Sequence, residues 1–514
     1  MVFVSAHPDV PLADAPVHAT VLAEAAGRGE HPALVDGLTG RTIGYAELVR
    51  AVERTAAGFA AAGLRKGDVI ALHSPNTIAY PVVFLAASRA GLVVTTLNVL
   101  STVDDIVKQV RDSGARWLVT VSMLLPVATQ AAERSGIEEV LVCDTADGHR
   151  SVLELPGDAA PEIEFDLRRD LFALPYSSGT TGHPKGVMLS HHNVATNLNQ
   201  SGAAWHDDGQ GERVLAVLPF FHIFGITIML NYLRKGSTLV VLPSFDLARF
   251  LGAIQEHRIT RVFAVPPIVL ALAKHPDVDG YDTSSVREIL CAAAPLDEDL
   301  ANACARRLGA RVLQGYGMTE LSPVSHLISD EDRDQPPGCV GRLVSRTEAR
   351  VVDPVTGADL GVGEVGELWV RGPQVMLGYL GRPEETDATV DADGWLHTGD
   401  VATVDGDGYW YIVDRVKELI KYKGYQVAPA ELEAVLLSDP RVADAAVIGV
   451  YVDGAEVPKA FVVRAPGADL DAEEVMAFVA DRVAPYKKVR LVEFIDAVPR
   501  ALSGKILRRE LRKR

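Results

Sequence analysis

The 514 residues are 48% hydrophobic and 23% charged, a balance that fits a folded chain of two or more domains and speaks against disorder. The 50 Lys and Arg set against 68 Asp and Glu leave a formal charge of −18, so the surface as a whole repels polyanions. Nucleic acid and anionic membrane are therefore excluded as non-specific partners, although a local basic site is not. Cys143, Cys291, Cys304 and Cys339 are too scattered for a zinc site or a redox dithiol and read as reduced core thiols of a cytoplasmic protein. Met1 to Asp9 shows no basic segment followed by an apolar one, so no secretion is expected.

In chain order, Gly44 to Ala62 carries Leu48, Val52 and Phe59 at helical spacing and stops at Gly63. Asp68 to His73 predicts a buried strand, Thr77 to Ala90 a helix and Leu92 to Leu97 another strand. The rhythm returns at Trp117 to Val121, Leu239 to Leu242, Val262 to Val265 and Val312 to Leu313, with a helix at Leu247 to His257. Strands alternating with helices predict an α/β body of mostly parallel sheets covered by helices. Val214 to Leu230 is the nearest thing to a membrane span, but Pro219, His222 and Gly225 interrupt it, and a strand, turn and helix are expected there instead. From about residue 340 to 414, Gly and Asp turns punctuate strands and predict a β-rich subdomain. From 418 to 514 the pattern is a small α+β domain: helix Pro429 to Leu437, strands Ala443 to Val450 and Lys459 to Val463, helix Ala472 to Arg482. The charged join at 415 to 417 is placed as a hinge, with residues 1 to 414 forming the large N-terminal domain.

The stretch richest in chemistry is Tyr176-Ser177-Ser178-Gly179-Thr180-Thr181-Gly182-His183-Pro184-Lys185-Gly186. Its glycines let the backbone turn tightly and present N–H groups to an anion, while hydroxyls and Lys185 add donors for phosphate oxygens. A Walker loop is excluded, because Lys185 follows Pro184 and precedes Gly186.

This segment resembles the signature of the adenylate-forming enzymes: acyl-CoA synthetases, 4-coumarate:CoA ligases, luciferases and peptide-synthetase adenylation domains. Four further motifs follow in that family's order: Gln314-Gly315-Tyr316-Gly317-Met318-Thr319-Glu320, Gly394-Trp395-Leu396-His397-Thr398-Gly399-Asp400, Asp414-Arg415-Val416-Lys417 running on to Lys421-Tyr422-Lys423-Gly424-Tyr425-Gln426, and Pro499-Arg500-Ala501-Leu502-Ser503-Gly504-Lys505. The chain resembles the bacterial ligases that look like 4-coumarate:CoA ligase. The resemblance implies an acyl-adenylate and pyrophosphate made from a carboxylic acid and ATP, then an acyl-CoA and AMP.

It also implies roles for individual residues. Ser177, Ser178, Gly179, Thr180, Thr181, Gly182 and Lys185 would cradle phosphates. Gln314, Gly315, Tyr316, Ile412 and Arg415 would hold the nucleotide, Tyr316 by stacking on adenine, and Asp400 would take the ribose hydroxyls. Thr319 would donate to the α-phosphate and Glu320 would ligate Mg²⁺, a hard cation suited to a carboxylate. Lys505 would supply the positive charge that lets a carboxylate approach a phosphate, both being anions. Lys421, Lys423, Gly424 and Gln426 would enter the site for the coenzyme A step after the small domain turns about Lys417.

The resemblance places the acyl pocket at His222, Ile223, Phe224 and Ile228, at Ala292, Ala293 and Ala294, and at Gly315, Gly317, Met318, Pro323 and Val324. Phe224 and Ile228 stand where plant 4-coumarate ligases carry tyrosine and serine. Losing both hydroxyls favours an apolar tail, since an unpaired buried phenol costs about 1–3 kcal/mol. A family glycine is replaced by alanine in the 292–294 run, narrowing the floor. No aspartate stands near His222 to hold an amino group, which argues against an amino-acid substrate. A cinnamate-like aryl acid and a medium-chain fatty acid both remain as substrates. Transfer to a separate carrier protein and a luciferase-like oxygenation stand as alternative fates of the adenylate.

Overall fold

The computed structural model describes residues 1–177, 184–204, 211–330, 332, 334–422, 425–452, 455–501 and 504–514. Two large sheets form the body. One is built on parallel strands Val69–His73, Val93–Thr96, Ala115–Thr120, Glu139–Val142 and Leu171–Ala173, with Lys185–Ser190 antiparallel at one side. The other is built on parallel strands Pro32–Asp36, Arg213–Ala216, Thr238–Val241, Arg261–Ala264, Glu288–Cys291 and Arg311–Gly317. Their strands are short β-branched runs buried on both faces, as parallel sheets under helices require.

Helices fill the space between the sheets. Ala79–Arg89 is buried along nearly its whole circumference, as is Ile223–Lys235. A helix apolar all round belongs in an interior. Tyr80, Phe84, Phe172 and Phe220 interlock there with ring centroids 5.2–5.9 Å apart. Each fully buried side chain of this size contributes roughly 1.5–3 kcal/mol.

Helix Ile223–Lys235 occupies the predicted strand-turn-helix, starting at the N-cap His222 and ending at Gly236, whose φ is 88°. The entering turn is tight: a Cβ at Gly225 would lie 2.1 Å from the Pro219 carbonyl oxygen, so no other residue fits. Among the described residues no helix is long and apolar enough to cross a membrane.

Strands Glu348–Val352, Gly366–Arg371, Leu396–Val404 and Trp410–Arg415 form an antiparallel sheet, with Phe3–Val4 adding to its edge. Trp410, 1% exposed, packs edge-on between Phe3 and His326 and ties this sheet to the body. Strands Arg342–Leu343 and Gly378–Tyr379 fall in the same stretch of sequence but pair with the body's sheets. Past the join come helix Pro429–Leu437, the long hairpin Val442–Val452 and Ala455–Arg464, helix Ala472–Ala480 and strand Leu491–Phe494, packed on a separate core.

Candidate active site

A cavity of about 1420 Å³ opens where the strand ends of the body, the β-rich sheet and the last turn of the chain meet. Ends of parallel strands leave loops free to converge, which is where α/β folds place their sites. Four chain segments supply its chemistry.

The first is the helix start at His222. Its Nδ1 accepts the Phe224 N–H at 3.3 Å, which assigns the proton to Nε2. Burial, together with the positive charge of Lys505, pushes this histidine down to about 4. It is a neutral donor at physiological pH.

The second is the turn after strand Arg311–Gly317. A Cβ at Gly317 would meet the Pro323 carbonyl oxygen at 2.1 Å, and this close approach folds Thr319–Leu321 back into the cavity. Glu320 is 4% exposed, and its Oε1 accepts hydroxyl protons from Ser177 and Tyr379, each at 2.9 Å. The Tyr379 ring in turn lies 4.5 Å from the buried Lys185 ammonium. One tyrosine thus joins Lys185 to the Thr-Glu turn. Sequence reasoning missed it, because a two-residue strand such as Gly378–Tyr379 has no periodicity to read.

The third segment is the β-rich sheet. Strands Leu396–Val404 and Trp410–Arg415 put Asp400 opposite Arg415, and the carboxylate takes the Arg415 Nε at 3.0 Å through Oδ1 and the Tyr316 hydroxyl at 2.6 Å through Oδ2. Thr398, Gly399 and Arg415 of this sheet line the cavity, while Asp400, 4% exposed, holds Arg415 in place without lining it.

The fourth is the tail. The Ala501 N–H donates to the Lys505 carbonyl, and the Gly504 N–H donates back to Ala501, both at 2.8 Å. Arg500 clamps this turn through the Gly504 carbonyl at 2.9 Å and Asp444 at 2.8 Å. The turn rests on Val265 and Pro267 of the body, which puts Lys505 in the same cavity as His222 and Glu320. Burial and the nearby Arg415 charge bring its ammonium down to about 8, against the opposing pull of Asp400 and Glu418. A partly desolvated cation in such a cavity is strongly attractive to a phosphate.

Comparison with known proteins shows which family carries this fold. The AMP-binding enzyme family model matches residues 21–380, and that of the AMP-binding enzyme C-terminal domain matches 431–505. The chain belongs to the AMP-binding enzyme family. It is 42% identical to 4-coumarate--CoA ligase 5 of Oryza sativa subsp. japonica, over 99% of this chain and 97% of that one. It is 41% identical to peroxisomal OPC-8:0-CoA ligase 1 of Arabidopsis thaliana, over 96% and 92%. In structure it is similar to ATP-bound MatB from Rhodopseudomonas palustris, with a TM-score of 0.86 and 31% identity over 96% and 98% of the two chains.

Of the positions that the resemblance to this AMP-binding family marks out, the cavity brings together Ser177, Lys185, His222, Thr319, Glu320 and Lys505, with Arg415 and Lys417 at one side. Ile223, Ala293, Gly317 and Met318 also line it. Phe224 packs edge-on against Phe263, with centroids 6.1 Å apart, and Ile228 and Val324 lie in the main core. The Gln314 side chain accepts the Leu296 N–H at 3.2 Å. Gln314, Gly315, Tyr316, Asp400, Ile412, Ala292, Ala294 and Pro323 are not among the residues lining the cavity, Tyr316 spending its hydroxyl on Asp400 instead. Lys421 and Gln426 face each other across a short hairpin away from it, Lys421 donating its N–H to Glu456 at 2.8 Å. Ser178, Gly179, Thr180, Thr181, Gly182, Lys423 and Gly424 lie outside the described residues.

Ala293 holds a left-handed φ of 75°, a conformation that favours glycine. Ala293→Gly should raise the thermal midpoint by relieving roughly 1 kcal/mol of strain, less the extra entropy of an unfolded glycine. It should also widen the range of acids accepted, read by a melting curve and by relative kcat/KM across a series of acids.

Proposed function

We propose that this enzyme adenylates a carboxylic acid with an apolar tail, either a cinnamate-like aryl acid or a medium-chain fatty acid, and transfers the acyl group to coenzyme A. AMP-forming acid–CoA ligation is the reaction of its class, with ATP, coenzyme A and a small acid as substrates. The observation that carries the reading is that Lys505, from the tail, shares one cavity with His222, Glu320 and Arg415. The acid carboxylate, oriented by the Nε2 proton of His222, attacks the α-phosphorus. The new C–O–P linkage forms as the bond to pyrophosphate breaks, and Lys505 neutralises the two anions as they meet.

Glu320 suits Mg²⁺, a cation usually held by one or two carboxylates together with substrate phosphates, whose charge it would lower when bound. Among the described residues no cluster of three or more acidic, His or Cys side chains offers an all-protein cage.

Lys505 and an incoming thiol compete for the same anhydride. The small domain therefore turns about Lys417, withdrawing Lys505 and delivering Lys421, Gly424 and Gln426 for the coenzyme A step. On the acyl side, Ile223 and Ala293 present no hydroxyl.

Mass spectrometry of products from ATP, Mg²⁺, coenzyme A and a panel of aryl and alkyl acids tests the proposal. Acyl-CoA from apolar members is expected. Acylation of a carrier protein with no acyl-CoA from any acid would overturn it.

Lys505 also sets a pH dependence. Its folded value of about 8 means that the useful cation is present below that pH and is lost as pH rises through it. The kcat/KM for pyrophosphate release should fall above about pH 8, since this parameter reports groups of the free enzyme. The thioester step from a supplied adenylate should show no such limb. A flat pyrophosphate profile from about pH 7 to about pH 9.5 would contradict the role of Lys505.

A further inference from the structure

Helix Pro429–Leu437 opens the small domain without a cap of its own, because Ala428 precedes it and makes no side-chain hydrogen bond. Of the four positions at a helix start that lack an intrahelical acceptor, Pro429 carries no N–H, which leaves three N–H groups in need of acceptors from elsewhere. One of them, the Ala430 N–H, donates to Asp414 Oδ2 at 3.0 Å. Asp414 lies on the other side of the join. It sits in strand Trp410–Arg415, paired with Val401 of the β-rich sheet, and is buried. Its second oxygen accepts the Arg415 N–H at 2.7 Å, which fixes the carboxylate to the body.

We propose that Asp414 is a positioning residue: by capping a helix of the small domain from the body, it holds the pose in which Lys505 reaches the acid and ATP. The inference rests on the reading that Lys417 is the pivot. Any turn there carries Ala430 away from Asp414 and opens the cap, so the contact belongs to one pose alone.

The surroundings fit a latch. Arg508 of the tail lies near enough to stabilise the Asp414 charge while pairing with Glu433 on the same helix at 2.7 Å. Glu418, which opposes that charge, is paired with Arg512 at 2.6 Å. Burial raises the Asp414 carboxyl above its ordinary value, and the two N–H bonds pull it back. A buried carboxylate of this kind is stable only while its donors stay in place. An N-cap shifts a conformational equilibrium by about fivefold, enough to favour one pose and leave the other within reach.

The test uses the full chain with Asp414→Ala and Asp414→Asn, and measures the two half-reactions apart. Pyrophosphate exchange reads adenylate formation, and acyl-CoA from a supplied acyl-adenylate reads the thioester step. Asp414→Ala should slow the first about fivefold to tenfold while leaving the second unchanged or faster. Asp414→Asn, which keeps an acceptor oxygen, should restore most of the first. Equal slowing of both half-reactions, or no slowing of the first, overturns the latch, and a melting curve for each variant identifies a loss due only to unfolding. Lys505→Ala is run in parallel. If it impairs both halves equally, the two-pose reading itself fails; if it separates them and Asp414→Ala does not, only the latch fails.

Discussion

Replacing Lys505 by alanine should slow adenylate formation by about a thousandfold, while a supplied acyl-adenylate still reacts with coenzyme A at close to the normal rate. One well-placed charged donor in a dry site is worth roughly 10²- to 10³-fold, and here the two reacting groups are both anions. Arg415, whose charge reaches Lys505, is committed to Asp400 at 3.0 Å and cannot stand in. The variant should fold, because the tail turn is held by backbone bonds and by Arg500 rather than by the lysine side chain. Pyrophosphate exchange checks the first step, and acyl-CoA formation from synthetic adenylate checks the second. Exchange at the normal rate would remove the basis of the proposed mechanism.

Glu320→Gln should lower adenylate formation by about a hundredfold, in a way that added Mg²⁺ only partly restores. The amide has nearly the same shape and keeps one acceptor oxygen for Ser177 and Tyr379, which both point at Oε1. Stability should therefore change little, and the loss should be traceable to the missing negative charge. The check is a magnesium titration of pyrophosphate exchange at fixed ATP beside a thermal melt. An unchanged magnesium midpoint would show that Glu320 is structural only.

Much of the body was legible in the sequence. Val69–His73, Val93–Thr96 and Thr238–Val241 are short β-branched runs bounded by turn residues, so they could be placed to within a residue or two. Helix Leu247–His257 matches its expected bounds because its apolar face is sharply periodic. Helix Ala79–Arg89 is two residues shorter at its start than expected, since burial on all sides blurs the pattern that marks an end.

Pairings that cross the chain were not legible. Phe3 and Val4 join a sheet more than 340 residues away by register, with Phe3 opposite Ala349. Nothing local in two residues signals that partner. For the candidate site, the gathering of Lys505, Glu320 and His222 followed from motif resemblance and not from spacing, since no local rule brings a tail turn to a helix start. Tyr379, and the capping contact of Asp414, escaped for the same reason. The cap at Ala430 comes from a residue 16 positions upstream, whereas sequence signals for caps look only at the residue just before the helix.

Tyr379 gathers Lys185 and Glu320, while the wall proposed to face the acyl group comes from the helix start at His222 and from Ala293, and neither of those residues shares a hydrogen bond with Tyr379. On the proposed reading, the grip on the triphosphate and the mould for the acid would thus be separate pieces of masonry. Mutational drift on one side can proceed without loosening the other, so diversification of acid preference in this lineage need not erode nucleotide use, and a designer may recut the Ile223 and Ala293 walls while leaving the tyrosine keystone in place.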